Sequence, residues 1–346
     1  MKISRSGLVL TSSIVGLSII AVCSFSGGNV MAAEKIWSKP ISIGSGSIGS
    51  SHYVVMSGIA GIITKSTGIQ ATVEATKWSA ANVDLVREKE VELSSCTSDA
   101  VYDAWNGYDY FANKPQKFLR LIHSGYTSCG TIVAREDSGI KTAADLKGKR
   151  FYAWMPTSPI YLRWCNLTLE ANNLTKDNLT LMQVVSTNEA LAALTSNRAD
   201  AALIVGSIPT AAIIEVTNTI PCRIIPVTDR EMALMDSKYP FVFPLTLPAG
   251  TYKGQDKEMS IYGVKTHIVT NSELPDDLVY RVTKSIMEHP KEVMATHPAA
   301  KAVILNEFFV KPQAPFHTGA IKYYKEAGVW KDEHQKIQDK LLATGK

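Results

Sequence analysis

The segment Ile41-Ser42-Ile43-Gly44-Ser45-Gly46-Ser47-Ile48-Gly49-Ser50-Ser51 decides the fold, because it joins a short β-branched run to a loop of glycine and serine. Apolar residues then recur at helical spacing from Val55 to Ile63, and residues 70–75 form the next strand-like run. This order predicts a βαβ unit with parallel strands. A helix that begins with free backbone N–H groups attracts anions. The segment therefore predicts an α/β sheet with an anion-binding loop.

The N-terminus has the layout of a secretory signal peptide. Lys2 and Arg5 precede an apolar run, and Val30-Met31-Ala32 provides a cleavage site, so we expect residues 1–32 to be removed and the protein to lie in the periplasm. A retained membrane anchor and a lipoprotein attached at Cys23 are the alternatives. Val22 disfavours the lipoprotein, because the processing peptidase prefers a small residue there.

The opening loop also has the spacing of a dinucleotide-binding fingerprint. Gly44, Gly46 and Gly49 match G-x-G-x-x-G, and Glu74 ends the next strand-like run. A secreted NAD-dependent oxidoreductase is therefore the alternative function. Export from the cytoplasm and the ease with which a Gly/Ser run yields this spacing both favour the anion site. We expect no cofactor.

Composition and charge exclude several classes of protein. Hydrophobic residues make up 45% of the chain, too many for a disordered protein. The formal net charge is +4, and loss of residues 1–32 takes away Lys2 and Arg5 and no acid, which leaves +2. So small a charge does not favour a nucleic-acid partner.

The cysteines of the mature chain leave two possibilities open. Cys96, Cys129, Cys165 and Cys222 contain no C-x-x-C pair and no zinc-ligand spacing. In an oxidising compartment they could form two disulfides with three possible connectivities, or they could remain buried thiols.

Alternating strand-like and helical runs form two sets. The first ends at a polar turn near residue 136, and the second ends in a Pro-rich stretch near residue 244. We therefore predict a discontinuous lobe 1 (33–135 and 245–346) and a lobe 2 (136–244), with a ligand cleft between them.

Three further loops resemble the first, because each follows a strand-like run and opens a helix with Ser, Thr or Gly. They are residues 76–82, 156–159 and 206–209. Helix capping alone explains any one of them. Together, at the carboxyl ends of strands in both sets, they predict the walls of an anion-binding cleft.

Catalytic arrangements are missing from the sequence. The seven histidines form no H-E-x-x-H motif, and there is no G-x-S-x-G or P-loop motif. We expect His52 to be a capping or surface histidine rather than a base. Asp99 and Asp103 lie four apart on one helix, and we expect Asp99 to cap that helix and Asp103 to be solvated. We predict neither enzymatic activity nor a metal site.

These motifs resemble those of the TAXI family, the solute receptors of tripartite (TRAP) transporters, from Ile41 to about Val329. The matching residues are Gly44, Gly46, Gly49 and Tyr53; Val73-Glu74-Ala75-Thr76, Ser79 and Asn82; Asp99 and Tyr102-Asp103-Ala104; residues 137–141 and 145–150; Pro248-Ala249-Gly250-Thr251-Tyr252 with Gly254-Gln255-Asp256; and Ala320, Tyr323-Tyr324 and Glu326-Ala327-Gly328.

The resemblance implies a two-lobed periplasmic binding protein of type II, which binds a small organic anion and delivers it to an ion-gradient-driven membrane permease. The implied ligand residues, together with Lys77 from the second loop, are Ser45, Ser47, Ile48, Tyr53, Lys77, Trp78, Ser79, Asn82, Thr157, Ser158 and Ser207.

The sequence departs from the family inside this set. Lys77-Trp78 replaces a Gly-rich loop, and His52-Tyr53 replaces a double tyrosine. A bulky ring where relatives have glycine could stack on a flat ligand, and Lys77 could pair a second carboxylate. The expected ligand is therefore a glutamate-like or an aromatic, flat carboxylate.

Overall fold

The structure is a computed structural model that describes residues 37–48, 50–77, 79–155, 158–184, 186–304, 309 and 311–345. The signal peptide predicted for residues 1–32 and the predicted site residues Trp78 and Thr157 lie outside the described residues.

The described residues form ten strands. They are β1 (Ile41–Gly44), β2 (Ala71–Glu74), β3 (Leu93–Thr97), β4 (Leu119–Arg135), β5 (Arg150–Trp154), β6 (Thr180–Gln183), β7 (Ala201–Gly206), β8 (Cys222–Ile225), β9 (Val242–Leu247) and β10 (Met259–Asn271).

The helices of the described residues connect and cover these strands. They are α1 (Ser51–Thr67), α2 (Ser79–Arg87), α3 (Ser98–Asn106), α4 (Pro159–Ala171), α5 (Thr187–Thr195), α6 (Ala211–Thr219), α7 (Asp229–Lys238), α8 (Asp276–Glu288), α9 (Pro290–Thr296), α10 (Lys301–Ile304), α11 (Thr318–Glu326) and α12 (Asp332–Ala343).

All the strands belong to one mixed sheet of order β2-β1-β3-β10-β4-β7-β5-β6, with β8 paired to β4 and β9 paired to β10. Parallel pairs lie towards both ends of this order: β1 with β2 and β3, and β5 with β6 and β7. The long strands β4 and β10 are antiparallel to each other and join the two parallel groups. We call β1–β3 the first strand group and β5–β7 the second strand group.

Local sequence explains where the helices begin. Ser50 caps α1 by accepting a hydrogen bond from the Tyr53 N–H, and Gly68 ends that helix in the left-handed conformation at φ 74°. Ser186 caps α5 in the same way, since its hydroxyl accepts a hydrogen bond from the Glu189 N–H at 3.2 Å.

The apolar core falls into two clusters. One contains α1, α8 and the first strand group, and the other contains α4, α5 and the second strand group. They meet along the middle of β4, where Tyr126 belongs to the first cluster and Cys129 to the second. The lobe boundaries at residues 136 and 244 stay predictions.

The cysteine alternatives are resolved within the described residues. Cys96, Cys129, Cys165 and Cys222 are all buried, and none of them forms a disulfide. A core of this size does not need disulfides for stability.

Candidate functional site

The carboxyl ends of the two strand groups face each other across the middle of β4 and β10. Thr97, at the end of β3, lies opposite Thr266 of β10, whose neighbour Lys265 lies opposite Thr127 of β4. Gly206, at the end of β7, lies opposite Cys129 of β4. The two ends are therefore separated along the strand direction by a few residues, on the order of 10 Å.

Each strand group also has a point where the chain reverses its direction across the sheet. β1 lies between β2 and β3, and β5 lies between β6 and β7. In open α/β sheets such points leave a crevice beyond the carboxyl end of the central strand. The loop after β1 begins at Ser45, and the loop after β5 leads to Ser158, so both contain residues of the predicted site.

Ser45 and Asn82 are brought together in the first strand group. The Asn82 side-chain amide donates to the carbonyl of Ser45 at 2.8 Å and to that of Ser95 at 2.7 Å. The Ser45 N–H donates to the carbonyl of Glu74 at 3.0 Å. Asn82 thus fixes the loop after β1, whereas the buried Ser45 hydroxyl has no hydrogen-bond partner among the described residues.

Ser79 joins the loop after β2 to the end of β3. Its hydroxyl accepts from the Thr97 N–H at 3.2 Å and lies 3.2 Å from the Thr97 hydroxyl. The first turn of α2 is therefore held against the end of β3. We call the place where the carboxyl ends of the two strand groups face each other the junction.

The other predicted residues of the first strand group lie further out. Ser47, Lys77 and Ile48 are exposed, with Ile48 77% exposed. Tyr53 lines a shallow cavity of about 440 Å³ between α1 and β2. No contact among the described residues brings the side chains of Ser47, Ile48, Lys77 or Tyr53 to the junction.

Ser158 and Ser207 hold matching places in the second strand group. Ser158 is the residue before α4, and Ser207 is buried directly after β7. Among the described residues no hydrogen bond joins either serine to a predicted residue of the first strand group. Both serines therefore lie at the carboxyl end of the second strand group, and their part in a binding site stays a prediction.

His52 is the residue that sequence reasoning undervalued. It is partly buried rather than on the surface, its Nδ1 lies 3.0 Å from the Ser95 hydroxyl, and its ring contacts that of Tyr126 edge-on at 5.4 Å. Desolvation lowers the pKa of His52 to about 4, so the ring is neutral at pH 7. The only sequence sign of this burial was that His52 lies four residues before the apolar Met56, on the same face of α1. That sign was weak, because the residues that His52 contacts lie far along the chain.

Tyr126 reaches the junction through a bulge in β4. Lys265 and His267 pair with Thr127 and Ser124, so β4 has one residue more than β10 over this stretch. The Tyr126 hydroxyl lies beside those of Ser51, Ser95 and Thr266, and burial raises its pKa. Bulges commonly redirect a side chain beside a binding site.

The expectation for Asp99 and Asp103 is wrong. Both are buried, and neither caps α3, which is preceded by Thr97. Arg163 of α4 donates to both carboxylate oxygens of Asp103 at 2.7 Å. Sequence spacing could not predict this burial, because Arg163 lies on a separate helix 60 residues away.

Other features do not form a second candidate site. A cavity of about 770 Å³ lies beside β8 and contains none of the predicted site residues. In the part of the chain that the structure describes, no cluster of His, Cys, Asp and Glu could hold a metal ion. None of the described helices is long and apolar enough to span a bilayer.

Comparison with protein families decides the relationship, because a family model described as the NMT1-like family matches residues 43–328. The chain belongs to the NMT1-like family. The matched residues include every residue of the candidate site.

Solved structures of low sequence identity are similar to this chain. PhnD1 from Prochlorococcus marinus, in complex with methylphosphonate, is 11% identical, with 84% of this chain and 100% of that one covered and a TM-score of 0.51. A substrate-binding protein of an ABC uptake transporter from Streptococcus pneumoniae, with bound histidine, is 17% identical, with 76% and 94% covered and a TM-score of 0.42. The predicted α/β class and the fold of periplasmic binding proteins are confirmed.

Proposed function

We propose that this NMT1-like protein is a periplasmic solute receptor of the TAXI type, which binds a small organic anion and delivers it to a TRAP-type membrane permease. The observation that carries the proposal is the junction, where the carboxyl ends of both strand groups face each other. The loops after β1 and β5 are then the two walls of one cleft.

The chemistry of the first wall supports a carboxylate ligand. It offers the Ser45 and Ser79 hydroxyls, the first turns of α1 and α2, and the neutral ring of His52. Hydroxyl and backbone N–H donors at helix starts suit an anion without needing a buried cation. This fits a mature chain whose charge is close to zero.

The ligand proposed is a glutamate-like or a flat aromatic carboxylate. The sequence difference at Lys77-Trp78 supports the aromatic class, because a Trp ring stacks on a flat acid. Trp78→Gly is therefore expected to weaken benzoate binding more than glutamate binding. If each acid bound the variant as tightly as it binds the parent protein, Trp78 would not belong to the site.

A thermal-shift titration tests the function. L-Glutamate and benzoate are the anionic probes, L-arginine is the cationic probe, and NADH tests the oxidoreductase alternative. A probe at about 100 times its Kd stabilises the folded state by roughly 2.7 kcal/mol, which raises the Tm by about 4 °C in a chain of this size. A rise with an acid supports the proposal, and a rise with NADH or arginine alone contradicts it.

A further inference from the structure

A buried ion cluster joins the two strand groups beside the candidate site. Arg163 lies on α4, which follows β5, and its guanidinium contacts the carboxylates of Asp99, Asp103 and Asp109. Asp99 and Asp103 lie on α3, which follows β3 directly. Arg163, Asp99 and Asp103 are all at least nine-tenths buried. We call these four residues the Arg163 cluster.

The helix α3 contributes to both apolar clusters, so it lies at their boundary. Its residues Val101, Ala104 and Trp105 belong to the first cluster, whereas Tyr102 packs against the second. The Tyr102 ring lies 5.2 Å from that of Phe241, and the Arg163 guanidinium lies 5.3 Å above the same Phe241 ring. Two of the carboxylates that pair with Arg163 therefore lie on α3, at the boundary with the first cluster, whereas the Phe241 ring beneath its guanidinium belongs to the second cluster.

Charges at such a boundary behave differently from apolar groups. Inside a rigid core, an ion pair gains little, because its attraction is offset by the loss of hydration. Between two bodies that separate, the carboxylates and the guanidinium regain water in the open state, and they pair in the closed state. A cavity of about 700 Å³, lined by Asp103, Asp109 and Arg163, gives water a path to the cluster.

We propose that Arg163 is a positioning residue for the candidate site: its ion pairs with Asp99 and Asp103 hold α4 against α3 and so keep the two walls of the cleft together. The inference rests on the proposed function in one respect, because it requires that the two strand groups exchange between an open and a closed arrangement, with the ion pairs favouring the closed one even before a solute binds. Arg163 acts through these helices and does not contact the solute.

Small-angle X-ray scattering of the purified protein tests this without any ligand. Arg163→Met is expected to shift the radius of gyration to a larger value, and Arg163→Lys, which keeps the charge but not the planar fork, to shift it less. Arg150→Met is the matched control, because the Arg150–Asp200 ion pair at 2.6 Å lies within the second strand group. The control is expected to leave the radius of gyration unchanged.

Scattering of Arg163→Met that superimposes on that of the parent protein overturns the proposal, provided that the variant unfolds cooperatively. If Arg163→Met does not fold, Asp103→Asn decides instead: a larger radius of gyration supports the proposal and an unchanged one overturns it. Failure of the solute-receptor proposal has a different signature, since it shows in the acid titrations and not in the scattering of the unliganded protein.

Discussion

Ser45 has a buried hydroxyl that makes no hydrogen bond among the described residues. Removing such a hydroxyl costs the fold little, whereas a solute that bonds to it loses one partner. Ser45→Ala is therefore expected to unfold in urea within about 0.5 kcal/mol of the parent protein and to bind the carboxylate probe roughly tenfold more weakly.

The matched control for Ser45→Ala is Ser66→Ala, because the Ser66 hydroxyl donates to the Ile62 carbonyl at 2.7 Å. That variant is expected to lose about 1 kcal/mol of stability and to keep its affinity. Unchanged affinity in Ser45→Ala would contradict a ligand-binding role for this serine.

Asn82 has the opposite character, since its amide already makes two bonds inside the protein, to Ser45 and to Ser95. Asn82→Ala breaks both and leaves buried carbonyl oxygens, so we expect a loss of about 2–3 kcal/mol in urea unfolding. Asn166→Ala, on the exposed face of α4, is the control and is expected to change stability by about 0.5 kcal/mol or less. Equal stability of both variants would show that Asn82 does not fix the loop.

Single residues of the site differ in how far sequence predicts them. The positions of Ser45 and Ser158 between a strand and a helix were predictable from the local pattern, whereas their role in binding stays a prediction. The contact of His52 with Ser95 depends on how α1 packs against β3, and the burial of Asp103 depends on a helix 60 residues away. Neither the contact of His52 nor the burial of Asp103 can be predicted from the spacing of neighbouring residues in the sequence.

At the scale of elements, β4 controls the shape of the junction. The bulge at Gly125 and Tyr126 brings the backbone so close to β10 that a Cβ on Gly125 would lie 2.9 Å from the Thr266 carbonyl oxygen. Backbone cannot move aside as a flexible side chain can, so Gly125→Ala is expected to lose about 1–3 kcal/mol and to shift Tyr126.

Gly61→Ala is the control for the bulge. Gly61 lies inside α1 with no atom within 4 Å of the added Cβ, and alanine favours a helix over glycine by up to about 1 kcal/mol. Urea unfolding should therefore show opposite signs for the two variants. A stabilised Gly125→Ala protein would contradict the close approach.

Two strands show what local patterns leave out. Residues 119–122 and 130–134 are separate, largely apolar runs in the sequence, but β4 continues through 17 residues, because β10 supplies backbone partners along the glycine- and serine-rich middle. The Pro-rich stretch near residue 244 contains β9. Pro244 is tolerated there because β9 pairs with β10 alone and lies at an edge.

At the scale of the whole molecule, the polar junction is kept free of protonated histidine. His123 and His267 are fully buried on β4 and β10, and burial lowers their pKa to about 4 and about 3, as it lowers that of His52 to about 4. Neutral groups face these rings, since the Ser124 hydroxyl lies 2.9 Å from His267 Nδ1 and the Val303 carbonyl lies 2.6 Å from His123 Nε2. A proton on any of the three would place an uncompensated charge between the two apolar clusters.

This arrangement predicts that acid weakens the fold well above the pH at which carboxylates protonate. Between about pH 4 and 6.5 the unfolded chain binds protons on His52, His123 and His267 that the folded protein excludes, so the free energy of unfolding falls as pH falls. Burial also raises the pKa of Asp103, but the Arg163 guanidinium at 2.7 Å favours the carboxylate and so preserves the ion pair. The three histidines give a difference of up to three protons, and so a slope of up to about 4 kcal/mol per pH unit. Urea unfolding from pH 7 to pH 5 measures that slope, which His267→Asn should flatten; a stability that stays constant over this range would mean that the buried rings are charged in both states.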